Sequence, residues 1–154
     1  MIRAAIRPAT VADFDGILAL LESCGLPSSD LTAERLDGFQ VAVGDAGIVS
    51  VAGLEQVGDE ALLRSVAVDP QLRGSGLGGC LVDATIALAQ TRSIRALYLI
   101  PNDESAYAFF ARRGFTRIER DSVPRAVRCL PEFTHLCPQT HPCLWRSLSS
   151  GRSQ

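Results

Sequence analysis

Apolar positions along the chain change period several times, and each change marks a predicted element. Ala4–Pro8 alternates weakly and predicts a first strand. Thr10-Val11-Ala12-Asp13 has the form of a helix start, with Thr10 as N-cap and Asp13 three residues on. Ile17, Leu18, Leu20 and Leu21 give that helix its apolar face, and Gly25 with Pro27 stops it. Ser28–Leu36 is read as a short second helix, of the kind that lies over a cleft between a first helix and a sheet. Phe39–Val43 and Ile48–Val57 read as strands around the turn Gly44-Asp45-Ala46-Gly47. The dipeptide Gly58-Asp59 then separates Val57 from the run Ala61–Val68, which predicts a hairpin with a two-residue turn. Gly76–Ala89 is a long apolar helix, Ala96–Ile100 a short strand ended by Pro101, and Glu104–Arg113 a further helix closed by Gly114. Phe115–Glu119 reads as a strand, Val123–Leu136 as irregular or partly helical, Cys143–Leu148 as a last strand and Ser149–Gln154 as a frayed tail. The order β-α-(α)-β-β-β-α-β-α-β-β is a mixed α/β plan, antiparallel early and crossing over through helices later.

Composition changes this picture little and excludes much. With 154 residues, 47% hydrophobic and 21% charged, the chain suits one domain with a real core. No apolar run approaches the roughly 18 residues that span a bilayer, and Met1–Pro8 lacks the apolar core of a signal peptide. The expected location is therefore cytoplasmic. A net charge of -2 without a basic block argues against a nucleic-acid partner. Every basic residue is Arg, so chemistry through a lysine Schiff base is excluded. Five cysteines, an odd count, argue against a disulfide framework.

The candidate chemistry begins where the strand Val66-Ala67-Val68 meets Asp69-Pro70. Gln71-Leu72-Arg73-Gly74-Ser75-Gly76-Leu77-Gly78-Gly79 follows, with three glycines at alternate positions. Such glycines let the backbone turn tightly and approach a ligand. The helix that opens there offers unpaired N–H groups and a positive dipole end, which suit a pyrophosphate, and Arg73 adds charge beside it. The Lys-Ser/Thr ending of a P-loop is absent, and the spacing does not fit a dinucleotide fingerprint.

Strand, Asp69-Pro70, then Gln71-x-x-Gly74-x-Gly76 resembles the acetyl-CoA motif of the GNAT superfamily of N-acetyltransferases. Asn102, Ala106, Phe109, Phe110 and Gly114-Phe115 resemble its second motif at the family's spacing, and the resemblance covers nearly the whole chain. It implies a single GNAT-like domain over residues 1–148, with 149–154 as a flexible tail. The implied fold is of the α/β (α+β) class. Its mixed, mostly antiparallel sheet has about six to seven strands, flanked by about four helices. It also implies acetyl transfer from acetyl-CoA, without a metal, to the amine of a small-molecule acceptor. Nucleic acid and membrane are not implied as partners, and a homodimer is left open.

By the same resemblance, backbone groups of Val66, Ala67 and Val68 bind the pantetheine arm and the acetyl carbonyl. Arg73, Gly74, Ser75, Gly76, Leu77 and Gly78 hold the pyrophosphate, Asn102 sits near the pantetheine end, and Phe109 and Phe110 count among the cofactor-binding residues. An attacking amine must lose a proton, so a base or a water relay is required, and a backbone N–H stabilises the developing oxyanion. Two positions depart from the family. Phe110 stands where many members carry a tyrosine acid. Tyr107, about 60° around the helix, either substitutes or packs. Leu62 stands where some members carry a glutamate base. If Gly58-Asp59 is a two-residue turn, Glu55 lies opposite Leu62 and supplies the carboxylate from the adjacent strand, and Arg64 shares that face. A glutamate and an arginine there act as base and anion clamp, or they form a mutual salt bridge, or they lie exposed on an outer face, since a one-residue slip reverses the faces.

The segments Arg64–Val68, Ala108–Phe115, Val123–Arg128 and Leu136-Cys137-Pro138 are similar to the arsenic-resistance branch of GNAT, related to the amino-acid N-acetyltransferases. The implied acceptor is a small amino-acid-like amine, arsenic-bearing in that branch. Its carboxylate needs a cation, with Arg64 as first candidate and Arg125 and Arg128 next. His135, Cys137, His141 and Cys143 fall within nine residues but match no standard zinc spacing, so no metal site is expected. Two other readings stay open: a non-catalytic acyl-CoA sensor, and a metalloid-binding protein using Cys137 and Cys143.

Overall fold

A computed structural model describes residues 4–131, 133, 134 and 141–148. Among these, seven strands and four helices occur in the order β1 (Ala5–Pro8), α1 (Phe14–Ser23), β2 (Gln40–Gly44), β3 (Gly47–Val57), β4 (Glu60–Val68), α2 (Leu77–Thr91), β5 (Ala96–Leu99), α3 (Glu104–Ala111), β6 (Thr116–Ile118), α4 (Arg125–Arg128) and β7 (Cys143–Ser147). The strands are hydrogen-bonded in the order β1-β2-β3-β4-β5-β7-β6. β4 and β5 run parallel, while β1–β2, β2–β3, β5–β7 and β6–β7 are antiparallel. The element order and the mixed, mostly antiparallel sheet agree with the pattern read from the sequence. The chain packs as two compact units, Met1–Glu55 with Arg64–Ala89 and Gln56–Leu63 with Gln90–Gln154, and β3 and β4 run through both.

In the first unit the start of α1 is fixed by Asp13, whose carboxylate accepts the backbone N–H of Thr10 at 2.8 Å and both Nη atoms of Arg7 at 2.7 and 2.9 Å. That clasp ties β1 to the helix. At the far end Gly25 takes φ 71°, and the bonds Gly25 N–H to Glu22 O and Leu26 N–H to Leu21 O close the helix. Ile17, Leu20 and Leu21, spaced for one helix face, are buried with Leu31, Leu36, Phe39, Val41, Val51 and Ala67. Truncating a fully buried member such as Leu21 would cost about 2–5 kcal/mol.

Ser28–Leu36 does not form the second α-helix expected of it. Only Ala33–Arg35 winds into a single 3-10 turn. Leu31 and Leu36 are both buried, and on an α-helix residues five apart stand about 140° from each other. Bringing both to one core rules out a regular helix there. Phe39, expected to open the second strand, instead precedes β2. A Cβ on Gly53 would come within 2.5 Å of its ring, so only glycine admits the ring on β3. Other boundaries differ by a residue or two.

In the second unit β5 carries its ladders on both edges, parallel to β4 through three pairs and antiparallel to β7 through four. Leu62, Tyr98, Val123, Val127, Phe133 and Cys143 are buried together, and Tyr98 stacks on Trp145 at 6.1 Å. Burial, then the neighbouring Glu60 carboxylate, raises the Tyr98 hydroxyl above its usual range. Burial also pushes the Cys143 thiol up to about 11. α3 starts on Asp103, whose side chain accepts the Ala106 N–H at 2.8 Å, and ends at Gly114, with φ 90°. Phe115 N–H bonds Phe110 O while the two rings meet edge to face at 5.6 Å, an apolar contact that locks the helix end. No helix among the described residues is long and apolar enough to cross a membrane. His135, Cys137 and the tail Ser149–Gln154 lie outside the described residues.

Candidate active site

β4 organises the chemistry-bearing residues. Its ladder with β5 ends at Leu62↔Tyr98, and β4 continues to Val68. Beyond the ladder's end Ser65 takes φ 57°, a left-handed conformation that costs a non-glycine residue roughly 1–2 kcal/mol. Successive strand side chains normally point to opposite faces. The kink at Ser65 breaks that rule, and Arg64 Nε donates to the Ser65 hydroxyl at 3.1 Å.

Arg64 is buried, its side chain 1% exposed. Its Nη1 and Nη2 donate to Asp30 at 2.6 and 2.8 Å, and Nη1 also reaches Glu55 Oε1 at 3.2 Å. Glu55 and Arg64 thus share a face, as the hairpin turn implied. Burial alone would raise the Asp30 carboxyl, but the Arg64 guanidinium outweighs it and holds Asp30 below the usual carboxylate range. The other oxygen of Glu55 accepts Arg35 Nη2 at 2.6 Å. Arg35 Nη1 also donates to the Asp30 carbonyl at 3.1 Å. Two carboxylates and two guanidiniums thus form a neutral chain graded in exposure, with the Arg35 side chain 42% exposed and that of Glu55 15%. The gradient decides which contact is exchangeable. An exposed ion pair is worth roughly 0.2–1 kcal/mol, whereas breaking a buried one costs about 3–5 kcal/mol.

After Val68 the chain turns on Asp69, whose carboxylate accepts the Gln71 N–H at 2.9 Å, through a 3-10 turn at Pro70–Leu72. Gly74 and Gly76 take φ 83° and 88°, and a Cβ at either would meet nothing within 4 Å, so both backbones border open space. The first bond of α2 runs from Cys80 N–H to Gly76 O, and the Ser75 hydroxyl accepts the Leu77 N–H at 3.3 Å. The remaining first-turn amides have no intrahelical partner. Arg73 is exposed at the same turn, its Nη2 3.4 Å from Cys24 Sγ. Val66 and Val68 are half-buried. The Ala67 carbonyl accepts the Ser50 hydroxyl at 2.8 Å, and the Val68 carbonyl accepts the Cys24 thiol at 3.6 Å.

In the second unit Asn102 and Tyr107 line a cleft of about 630 Å³ together with Glu104, Arg117 and His141. Arg120 holds the His141 carbonyl at 2.8 Å. Phe110 is buried between Phe109 and Phe115, and the Arg113 guanidinium lies 4.4 Å over the Phe109 ring. On α4 Arg125 is exposed and Arg128 half-buried. The buried Nε of Arg128 has no hydrogen-bond partner among the described residues. No group of three or more His, Cys, Asp or Glu is placed to hold a metal among those residues.

The hairpin read from Gly58-Asp59 put Glu55 and Arg64 on one face, and the two side chains meet. Sequence reasoning missed Asp30 and Arg35, which come from the loop after α1, where no periodicity marks a side chain's direction.

Residues 35–117 match the family model for the acetyltransferase (GNAT) domain. An amino-acid acetyltransferase of Mycobacterium tuberculosis is 35% identical over 75 residues, covering 49% of this chain and 38% of that protein. One from an Enterobacter species is 30% identical over 131 residues, covering 80% and 29%. The chain therefore spans less than two fifths of these curated relatives. Among solved structures, N-acetylglutamate synthase from Neisseria gonorrhoeae, complexed with coenzyme A and N-acetyl-glutamate, superposes with a TM-score of 0.80 at 24% identity, covering 97% of this chain and 36% of that one. A GNAT-family acetyltransferase from Staphylococcus aureus gives 0.80 at 20% identity, covering 96% and 100%. At these identities the structures show a common fold.

Proposed function

The chain belongs to the GNAT acetyltransferase family, and from that premise we propose that it transfers the acetyl group of acetyl-CoA to the amine of a small amino-acid-like acceptor. The observation that carries the donor side is the turn at Gly74 and Gly76, where two left-handed glycines open α2 onto unfilled space beside Arg73. These residues fit a pyrophosphate, because the first-turn amides of α2 and the guanidinium are the donors it needs. Leu77 and Gly78 continue the same turn, and the backbone of Val66–Val68 serves the pantetheine arm; Asn102, Phe109 and Phe110 are the second unit's cofactor candidates read from the sequence. When bound, acetyl-CoA supplies a thioester as acyl donor.

The chain's own residues then supply positioning and proton transfer. Glu55 takes the proton that the acceptor's ammonium must lose before its nitrogen can attack. Asp30 and Ser65 hold Arg64 rigid, and Arg64 holds Glu55. A thiol's usual pKa of about 8.5 makes it a tolerable leaving group, and Tyr107 is the candidate donor of its proton. An acceptor carboxylate requires a cation, for which Arg64, Arg125 and Arg128 are the sequence candidates. The curated amino-acid acetyltransferases support an amino-acid acceptor. An arsenic-bearing amino acid rests on the sequence resemblance of Arg64–Val68, Ala108–Phe115, Val123–Arg128 and Leu136-Cys137-Pro138.

Thiol release from acetyl-CoA, measured with each L-amino acid and with arsenic-bearing amino acids, tests the reading. Turnover with at least one amino acid is expected. Coenzyme A binding without turnover on any amine would replace it with the sensor reading, which Phe110 and Leu62 motivate.

A further inference from the structure

We propose that Arg35, outside the acceptor candidates read from the sequence, is the residue that takes the acceptor's carboxylate, and that it does so by exchanging Glu55 for that carboxylate. The inference rests on the amino-acid acetyltransferase reading and assigns the acceptor side a specificity-determining residue. Arg64, the first sequence candidate, has Nε on Ser65, both Nη atoms on Asp30 and Nη1 also on Glu55, with a side chain 1% exposed. A substrate would have to open a buried two-point ion pair to reach it. Arg35 differs on each count. It stands on the single turn Ala33–Arg35, its side chain is 42% exposed, and it donates one hydrogen bond to the Asp30 carbonyl and one to Glu55, with its Nη1 also 3.9 Å from the Asp30 carboxylate. A guanidinium has five N–H groups in a planar fork that matches a carboxylate at two points. Arg35 therefore has donors left for a carboxylate arriving from solvent.

The exchange also couples recognition to chemistry. With no acceptor bound, both carboxylate oxygens of Glu55 are occupied, Oε2 by Arg35 at 2.6 Å and Oε1 by Arg64 at 3.2 Å. When an acceptor carboxylate draws Arg35 away, Glu55 keeps only Arg64. The group that must receive the amine's proton is then released by the end of the substrate that carries no amine. An amine without a carboxylate leaves the Arg35–Glu55 pair closed and is a poor acceptor for that reason, not only because it binds weakly.

The test compares an L-amino acid with its own carboxamide as acceptors for wild type and for Arg35→Gln, with coenzyme A affinity measured in parallel as the check on folding. Wild type is expected to favour the acid by tenfold or more in kcat/KM. The variant should lose most of that ratio through the acid's KM, and its coenzyme A affinity should be unchanged. An unchanged acid-to-amide ratio in the variant overturns the role of Arg35 and leaves the acetyltransferase reading standing. A wild type that turns over neither form of any amino acid overturns both.

Discussion

Arg64 meets Asp30 through two parallel hydrogen bonds, at 2.6 and 2.8 Å, from positions 34 residues apart in the chain. The pair connects the loop after α1 to the middle of β4, at the kink where Ser65 leaves the extended conformation. It fixes the direction of the buried guanidinium, and Glu55 takes its place on the remaining edge. Side-chain exposure rises from Arg64 at 1% through Asp30 at 9% and Glu55 at 15% to Arg35 at 42%, so the network loosens from the interior outward.

That order predicts an asymmetry between members of the chain. Asp30→Ala takes from a buried guanidinium its two shortest hydrogen bonds, and the expected loss is about 3–5 kcal/mol, or on the order of 10 °C in melting temperature for a chain of this size. Arg35→Gln removes an exposed contact and should cost no more than about 1 kcal/mol. Thermal unfolding of the two variants checks this, and similar losses would contradict the exposure gradient. The double variant Asp30→Leu/Arg64→Met removes both charges together and should recover part of the single variant's loss.

Glu55→Gln keeps the shape of the side chain and its capacity to accept from Arg64, but it removes the proposed proton acceptor. The expected result is a fall in kcat of roughly 100-fold or more, with coenzyme A affinity within about twofold of wild type. Isothermal titration with coenzyme A and single-turnover kinetics separate the two quantities. Undiminished turnover would remove Glu55 as base and leave a water relay.

What the sequence showed of this arrangement follows from how local each signal is. Gly58-Asp59 fixes a hairpin register within a few residues, so Glu55 beside Arg64 was legible. Gly25 and Gly114 were legible as helix stops because a left-handed glycine after an apolar stripe has few other uses. Asp30 and Arg35 were not legible. Their direction is set by where Leu31 and Leu36 find the core, a tertiary demand that overrode the helical expectation for Ser28–Leu36. The left-handed Ser65 was equally hidden, since nothing in Arg64-Ser65-Val66 distinguishes it from ordinary strand. Sequence could place Phe110 on its helix, but not its edge-to-face contacts with Phe109 and Phe115.

The glycines of the cofactor turn make a prediction with two separable parts. Because a Cβ on Gly76 meets nothing within 4 Å, Gly76→Ala creates no clash, and its cost is the left-handed backbone alone, about 1–2 kcal/mol. The methyl group, however, enters the space proposed for the pyrophosphate. Coenzyme A affinity should fall by at least tenfold, while the melting temperature drops by only about 2–8 °C. Affinity unchanged in a folded Gly76→Ala protein would show that the ligand does not approach this turn.

The Arg7–Asp13 clasp makes stability depend on pH in a defined direction. The Arg7 guanidinium, and after it the Thr10 N–H, holds the Asp13 carboxyl down at about 2, against a burial effect that works the other way. In the unfolded chain the same carboxyl titrates near 3.9. A depressed carboxyl stabilises the fold fully above the unfolded value, and the contribution is lost as pH falls through the folded one. With Arg7 42% exposed, Asp13→Asn should cost about 1 kcal/mol at neutral pH, the low end for a charged hydrogen bond. The difference between wild type and variant in urea unfolding should hold constant from pH 8 to about pH 5, shrink below about pH 4 and be mostly lost by about pH 2. Asp30, also held below its usual range, adds to the acid sensitivity of both proteins alike, so their difference isolates Asp13. A difference that persisted undiminished to pH 2 would mean that the clasp does not carry the charge-dependent part of the stability.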